Sequence, residues 1–300
     1  MGDANTDGAS FTGKNRSATW DAMQNGQNSY FSHKLAVITG GTSGIGLAVA
    51  TELHRRNARV VILADKTSGV ERAISSLGGR SSALDGYVCD IGTPESVTKV
   101  SAEILAAQGV PDILINNAGY ATYRTFEEEE AFEIERLMNV NFSGAMRVTK
   151  AFIGPMIARR SGQVINIASI AGVIAMTPNA VYCSAKHGMV TWSRCLAAET
   201  AHFGIHVGVV CPGRVETSFF DHETFRQRTL RKETALTVPI AAVVDGILRT
   251  IVRRKRMCFI PRYLGAVAWA ANTLGPFANV GIDRLMRARV ADVYRAKSNP

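Results

Sequence analysis

The apolar run Ala36-Val37-Ile38 leads through Thr39 directly into Gly-Gly-Thr-Ser-Gly-Ile-Gly, residues 40–46. A strand that is apolar on both sides must be covered on both faces, which places it in a parallel sheet packed between helices. A glycine-rich turn between such a strand and a helix beginning near Ile45 matches the phosphate-binding turn of dinucleotide-binding folds. There Gly40 permits the tight bend, Gly44 lets backbone N–H groups approach a pyrophosphate, and Gly46 allows helix and strand to pack closely, with the phosphates at the positive helix N-terminus.

The rest of the chain repeats the same alternation. Lys34–Thr39, Arg59–Ala64, Gly86–Cys89, Ile113–Asn116, Gln163–Ala168 and His206–Cys211 read as strands, and Met257–Ile260 as a last one. Helical patterns fall near 44–57, 93–108, 128–160, 180–203 and 239–253. Repeated βα units with right-handed crossovers predict an α/β fold, a doubly wound, Rossmann-like parallel sheet with helices on both faces of a single domain. Residues 1–32, rich in Gly, Asn, Asp, Ser and Thr without period, read as a flexible extension. Residues 33–217 form the expected core, and 218–300 a substrate lid and C-terminal elaboration of the same domain.

Charge and cysteine content narrow the setting. The net charge of +9 is confined to one region: residues 214–300 hold 16 Lys/Arg against 7 Asp/Glu, leaving 18 against 18 in residues 1–213. A neutral first two thirds argues against a nucleic-acid partner. Five cysteines without a C-x-x-C pair argue against a disulfide framework or a metal site and fit a reducing, cytoplasmic compartment. The N-terminus, without a basic and apolar start, does not read as a secretory signal.

Further motifs follow in order: Asp90 in V-C-D-I, Asn116-Asn117-Ala118-Gly119, Asn141 in N-V-N-F-S-G, Ser169 in N-I-A-S-I-A-G, Tyr182 and Lys186 in Y-C-S-A-K, and Pro212-Gly213 followed by Thr217. With the T-G-x-x-x-G-x-G turn, this set over about residues 34–217 resembles the short-chain dehydrogenase/reductase family. The resemblance implies an NAD(P)-dependent alcohol dehydrogenase or ketone reductase. It implies a dinucleotide held by Gly40, Thr42, Ser43, Gly44, Ile45, Gly46, Asp65, Asp90, Asn117, Ala118, Gly119, Tyr182, Lys186, Pro212, Gly213 and Thr217, and catalysis by Asn141, Ser169, Tyr182 and Lys186. Asn141 is then expected to hold a water that links Lys186 to solvent.

The chemistry expected of these residues follows from their types. Hydride transfer at a carbinol carbon needs a proton moved at its oxygen, and a free tyrosine, near pKa 10, is too weak a base. Lys186, one turn after Tyr182, is expected to lower the phenol pKa, and Ser169 to hold the substrate oxygen against Tyr182. His187, Cys183 and Cys195 read as structural. Asp65, at the end of the second strand, suits the adenosine ribose hydroxyls and repels a 2′-phosphate, favouring NAD over NADP. A protein that keeps the dinucleotide fold as a sensor or scaffold is the alternative, against which stands the retention of Ser169, Tyr182 and Lys186 together.

The C-terminal third bears on substrate and partners. Residues 218–232 read as a mobile lid helix carrying Phe219, Phe220 and Phe225. Residues 263–282 contain three aromatic residues and one charge-free run through Ile282, flanked by Arg262, Arg284, Arg287 and Arg289. The cluster Arg253, Arg254, Lys255, Arg256 precedes them. A segment of this kind suits an interfacial helix on an anionic membrane, carrying Trp269, Leu274 and Phe277. It equally suits a helix across an oligomer interface, or a buried helix pair. An aromatic lid beside an apolar, basic tail points to a hydrophobic small-molecule substrate, steroid-like, long-chain or polycyclic. A homodimer or homotetramer is the expected assembly.

Overall fold

The computed structural model describes residues 29–215, 217, 219, 223–226, 237–274, 281, 284, 286–288, 290 and 291. Seven strands form one wholly parallel sheet: β1 (Leu35–Thr39), β2 (Arg59–Ala64), β3 (Leu84–Val88), β4 (Ile113–Asn116), β5 (Gly162–Ile167), β6 (Ile205–Pro212) and β7 (Met257–Ile260), in the order β3-β2-β1-β4-β5-β6-β7. The doubly wound fold is as expected.

Period-2 alternation along each strand sorts side chains into two cores. Ala36 and Ile38 of β1, Val60 and Ile62 of β2, and Ile113 and Ile115 of β4 face one side. They pack there against α1 (Gly44–Arg55), α2 (Thr67–Ser76) and α8 (Ile240–Val252). Leu35, Val37, Val61, Leu63 and Leu114 face the other. Their partners are α3 (Pro94–Ala107), α5 (Gly144–Arg159) and α6 (Ala180–Thr200).

Several local expectations change. β3 starts and ends before the expected Gly86–Cys89, because Leu84 pairs with Val60 and leaves Val88 at the exposed end. The short helix α2 went unpredicted: its buried stripe is just Val70, Ala73 and Ile74, too thin to mark a period. Helix 128–160 is interrupted, as α4 (Ala131–Met138) passes through a π turn, Asn139–Ser143, into α5. Packing also begins earlier than residue 33: Phe31 is fully buried, and the Tyr30 hydroxyl accepts from Gln163 Nε2 at 2.5 Å. Cys195, expected to pack, is exposed, because it lies beside buried Leu196 on the outward face of α6.

In the lid region the described helix, α7, runs only from Glu223 to Arg226; Phe220 and residues 227–236 lie outside the described residues. The base of the lid is pinned where Val238 N donates to the Arg214 carbonyl at 2.7 Å and Val215 bridges Val238. The last described full helix, α9 (Tyr263–Thr273), follows β7 and crosses the carboxyl end of the sheet. Along it Leu264 approaches Gly213, Gly265 sits on Phe259, and Asn272 Nδ2 donates to the Val173 carbonyl at 3.0 Å. The basic cluster Arg253–Arg256 precedes β7, at the amino end of the sheet, where Arg254 Nη2 donates to the Gly204 carbonyl at 2.8 Å. The expected single surface joining that cluster to Trp269 and Leu274 is therefore divided by a strand. Phe277 is outside the described residues.

Candidate active site

The strand order reverses between β1 and β4, and in doubly wound sheets the crevice beyond the carboxyl ends at that point is where ligands bind. The glycine turn and the N-N-A-G segment form its floor. Gly40 turns the chain with φ +64°, and its N–H donates to the Leu63 carbonyl at 2.7 Å. A Cβ at Gly46 would overlap the Gly40 carbonyl, so α1 can start directly on the turn only with glycine there. Thr39 ties the two segments together: its Oγ1 accepts from Asn117 N and Ala118 N, each at 3.0 Å. Asn117 Nδ2 donates to the Thr39 and Gly40 carbonyls, each at 3.1 Å. Sequence reasoning passed over Thr39 as a site residue, although a polar residue ending an apolar strand was the available signal.

At the helix start, Ser43 is extended, exposed, and makes no side-chain cap. The first N–H groups of α1 thus remain turned toward the crevice without a side-chain acceptor, as an anion site requires. Thr217 lies against Gly44, bringing the start of the lid to the same turn, and Thr42 lies near Gly69 at the start of α2. Asp65 is exposed just past β2. Asp90 is already engaged: Oδ1 accepts from Gly92 N at 2.9 Å and Oδ2 pairs with Arg136 at 3.2 Å. That arginine, on α4, was not anticipated, since the pair spans 46 positions in the chain. Gly213 N donates to the Ile260 carbonyl at 2.8 Å, which holds the Pro212-Gly213 exit of β6 against β7.

The second half of the site gathers at the ends of β5 and α6. Ser169 follows β5 and caps a short 3-10 turn, its Oγ accepting from Ala171 N at 3.1 Å. Its hydroxyl faces the phenol of Tyr182, near the start of α6, closely enough to act on the phenol's proton affinity. Lys186 Nζ is 5.7 Å from the centre of the Tyr182 ring and donates to the Ile167 carbonyl at 3.0 Å. Burial lowers the Lys186 pKa to about 8. Burial also raises the Tyr182 pKa above its ordinary value, with the nearby Ser169 hydroxyl opposing that shift. The expectation that Lys186 depresses the phenol pKa is therefore corrected in this arrangement. Desolvation of the phenolate outweighs a cation that stands beyond the ring and is hydrogen-bonded to a carbonyl.

Asn141 is fully buried and occupies the π turn, a distortion often found at functional sites. Its Nδ2 donates to the Tyr120 and Leu137 carbonyls at 2.8 and 3.0 Å, while Oδ1 has no protein partner. A Cβ at Gly119 would lie 2.5 Å from that Oδ1 and 3.5 Å from Lys186 Nζ, so the glycine keeps open the space between them. His187 Nδ1 lies 2.9 Å from the Cys183 carbonyl oxygen, a structural bond along α6. From the lid, the Phe219 ring meets Tyr182 edge-on at 5.7 Å, and Phe225 packs against Tyr123 at 5.4 Å. Tyr123 N also donates to Thr224 Oγ1 at 2.9 Å. Among the described residues no group of three or more His, Cys, Asp or Glu could hold a metal.

A parallel sheet with a glycine-lined crevice at its switch point, and a Ser-Tyr-Lys group at its rim, defines a dinucleotide-fold protein of the oxidoreductase type. The short chain dehydrogenase profile matches residues 34–228, and the chain belongs to that family. It is 28% identical over 279 residues to the mouse dehydrogenase/reductase SDR family member 7B, covering 90% of this chain and 85% of the relative. It is 35% identical over 187 residues to the 3-oxoacyl-[acyl-carrier-protein] reductase FabG of Escherichia coli, covering 62% and 75%. Among solved structures, a single-substitution variant of actinorhodin polyketide ketoreductase with NADPH superposes with a TM-score of 0.69 at 27% identity, covering 78% of this chain and 97% of that one.

Proposed function

We propose that this protein transfers a hydride between a nicotinamide dinucleotide and a secondary alcohol or ketone, with Tyr182 as the proton-transferring group. The observation that carries the reading is the gathering of Ser169, Tyr182 and Lys186 at the carboxyl end of β5, with buried Lys186 5.7 Å from the centre of the Tyr182 ring and bonded to the Ile167 carbonyl. Relatives named as ketoacyl reductase and ketoreductase support a carbonyl substrate, and the NADPH of the latter supports the cofactor class.

The residues fit such a dinucleotide. The bend at Gly40, the close approach at Gly46 and the uncapped start of α1 make a cradle for the pyrophosphate. Asp65 accepts from the adenosine ribose and makes NAD the preferred form. Asp90, fixed by Gly92 and Arg136, borders the adenine, and Thr217 closes over the turn. When bound, the nicotinamide supplies or accepts the hydride.

Ser169 holds the substrate oxygen beside the Tyr182 hydroxyl, which gives or takes the proton at that atom. Lys186, able to change charge near neutral pH, is the next proton carrier, and the open acceptor of Asn141 positions a water behind it. Phe219, set on the Tyr182 ring, and the Phe225–Tyr123 contact give the cleft an apolar lid, which favours a hydrophobic substrate. Five unpaired cysteines suit a reducing, cytoplasmic setting, and a homodimer or homotetramer is the assembly proposed.

Replacing Tyr182 with Phe tests the reading, because it deletes the hydroxyl and keeps the ring. Assayed with NADH or NADPH over a panel of ketones, Tyr182→Phe should lose about 10²–10⁴-fold in kcat while binding the dinucleotide normally. Retention of most of the activity would overturn the assignment.

A further inference from the structure

Helix α9 turns one side to the protein, with Ala268 buried and Asn272 bonded to Val173. Its other side is mostly apolar and uncovered. At 100° per residue, Trp269, Thr273, Ala266, Ala270, Tyr263, Leu274 and Val267 follow one another across about 160° of the helix surface, with no charge among them. Tyr263 is 47% exposed, Val267 46%, Trp269 64% and Leu274 52%. Large apolar side chains gathered this way on one helix mark a contact surface rather than scattered exposure.

The rim of this face is cationic. Arg262 stands exposed at the head of α9. Arg284 and Arg287 are exposed on the segment whose Met286 carbonyl accepts from Thr177 Oγ1 at 3.2 Å. From residue 246 onward the sequence carries 11 Lys/Arg against 2 Asp/Glu. A second copy of the chain docking here about a two-fold axis would set one cationic rim against another. An anionic lipid surface complements both the cations and the apolar arc, and Trp and Tyr are the residues that settle at headgroup depth.

We propose that the exposed face of α9 docks on an anionic bilayer surface, with Tyr263 and Trp269 among the headgroups, Val267 and Leu274 deeper, and Arg262, Arg284 and Arg287 on the lipid anions. Among the described residues no helix is long and apolar enough to cross a membrane, so the contact is peripheral. Through Val173 and Thr177, the inner side of α9 and the Met286 segment adjoin the loop that follows Ser169, and the mouth of the cleft opens beside the lipid. The cluster at Arg253–Arg256, at the amino end of the sheet, takes no part.

Co-sedimentation of the full chain with vesicles of phosphatidylcholine alone, or with about 30% phosphatidylserine, tests this without reference to activity. Binding should need the anionic lipid and fall at least about tenfold between roughly 0.1 and 1 M salt, as the Debye length drops from about 10 to about 3 Å. Val267→Glu/Trp269→Glu should abolish it, while NADH binding in solution stays unchanged. Arg262→Gln/Arg284→Gln/Arg287→Gln should weaken it on the order of a hundredfold. Arg253→Gln/Arg256→Gln should leave it within about twofold, since the length of β7, four residues or about 13 Å, stands between those residues and the start of α9. The proposal is overturned by absence of lipid-dependent sedimentation, or by loss equal in the Arg253/Arg256 variant. It is also overturned if the glutamate variant instead dissociates a lipid-free oligomer in sedimentation velocity, which would show a second copy on this face.

Discussion

Lys186 gives the sharpest physical test of the site, because its burial can be read as a pH dependence of stability. The side chain is 3% exposed, and burial lowers its pKa from 10.5 to about 8. At about 1.36 kcal/mol per pKa unit, 10.5 − 8 = 2.5 units correspond to about 3 kcal/mol. The sign follows from proton counting. Below about pH 8 the folded and unfolded chains both hold the proton, and the folded chain carries the full cost of a buried ammonium. Between about 8 and 10.5 the folded chain has released a proton that the unfolded chain still binds, so stability rises with pH across that window.

Lys186→Met removes this dependence and keeps the bulk of the side chain. At pH 7 the variant gains the roughly 3 kcal/mol of relieved burial but leaves the Ile167 carbonyl without its donor, at about 1–3 kcal/mol, so the two proteins should differ little there. From about pH 7 to 10.5 the wild type should gain about 3 kcal/mol over the variant, as the other titrations cancel in the difference. Urea unfolding of both proteins at steps across this range measures it. A difference curve that stays flat would show that Lys186 keeps its ordinary proton affinity in the folded protein, and would remove it as a proton carrier near neutral pH.

The other predictions are more local. Asp65→Ser should shift the kcat/KM ratio toward NADPH by at least about tenfold, or about 1.4 kcal/mol, measured with both cofactors and one ketone; an unmoved ratio would clear Asp65 of the discrimination. Gly46→Ala should cost about 1–3 kcal/mol of stability and weaken NADH binding, because the added Cβ meets backbone that cannot yield, and denaturant melts with cofactor titration would show both. Phe225→Ala should raise the KM for a hydrophobic ketone while leaving NADH affinity unchanged, since its contact is with Tyr123 on the cleft rather than with the glycine turn.

Local pattern carried the strands, because a buried parallel strand is apolar whatever its neighbours are. Val60-Val61-Ile62-Leu63 and Ile113-Leu114-Ile115 therefore announce themselves, and β2 and β4 begin and end where the pattern does. The glycine turn, Asn117, Ser169, Tyr182 and Lys186 were likewise legible, since each is a short motif whose spacing is its function. Helix α2 was not, because three buried residues in ten leave little period to see.

Tertiary packing decided what depends on residues far apart in the chain. The sequence of 128–160 is periodic enough for one helix, yet a π turn lets Asn141 face Gly119 and Tyr120 from β4's loop. Asp90 meets Arg136, Phe219 meets the Tyr182 ring, and Thr39 ties β1 to the N-N-A-G segment, all across separations that no local pattern encodes. The charge-free stretch after Arg262 left membrane, interface and core equally open. Its placement across the carboxyl end of the sheet, with Ala268 buried, Asn272 bonded to Val173 and Trp269 exposed, separated it from the Arg253–Arg256 cluster. The proton affinities of Tyr182 and Lys186 were decided in the same way. The motif names the pair and its spacing, but desolvation depends on how much of the fold closes around each charge, and that burial is a property of the assembled core.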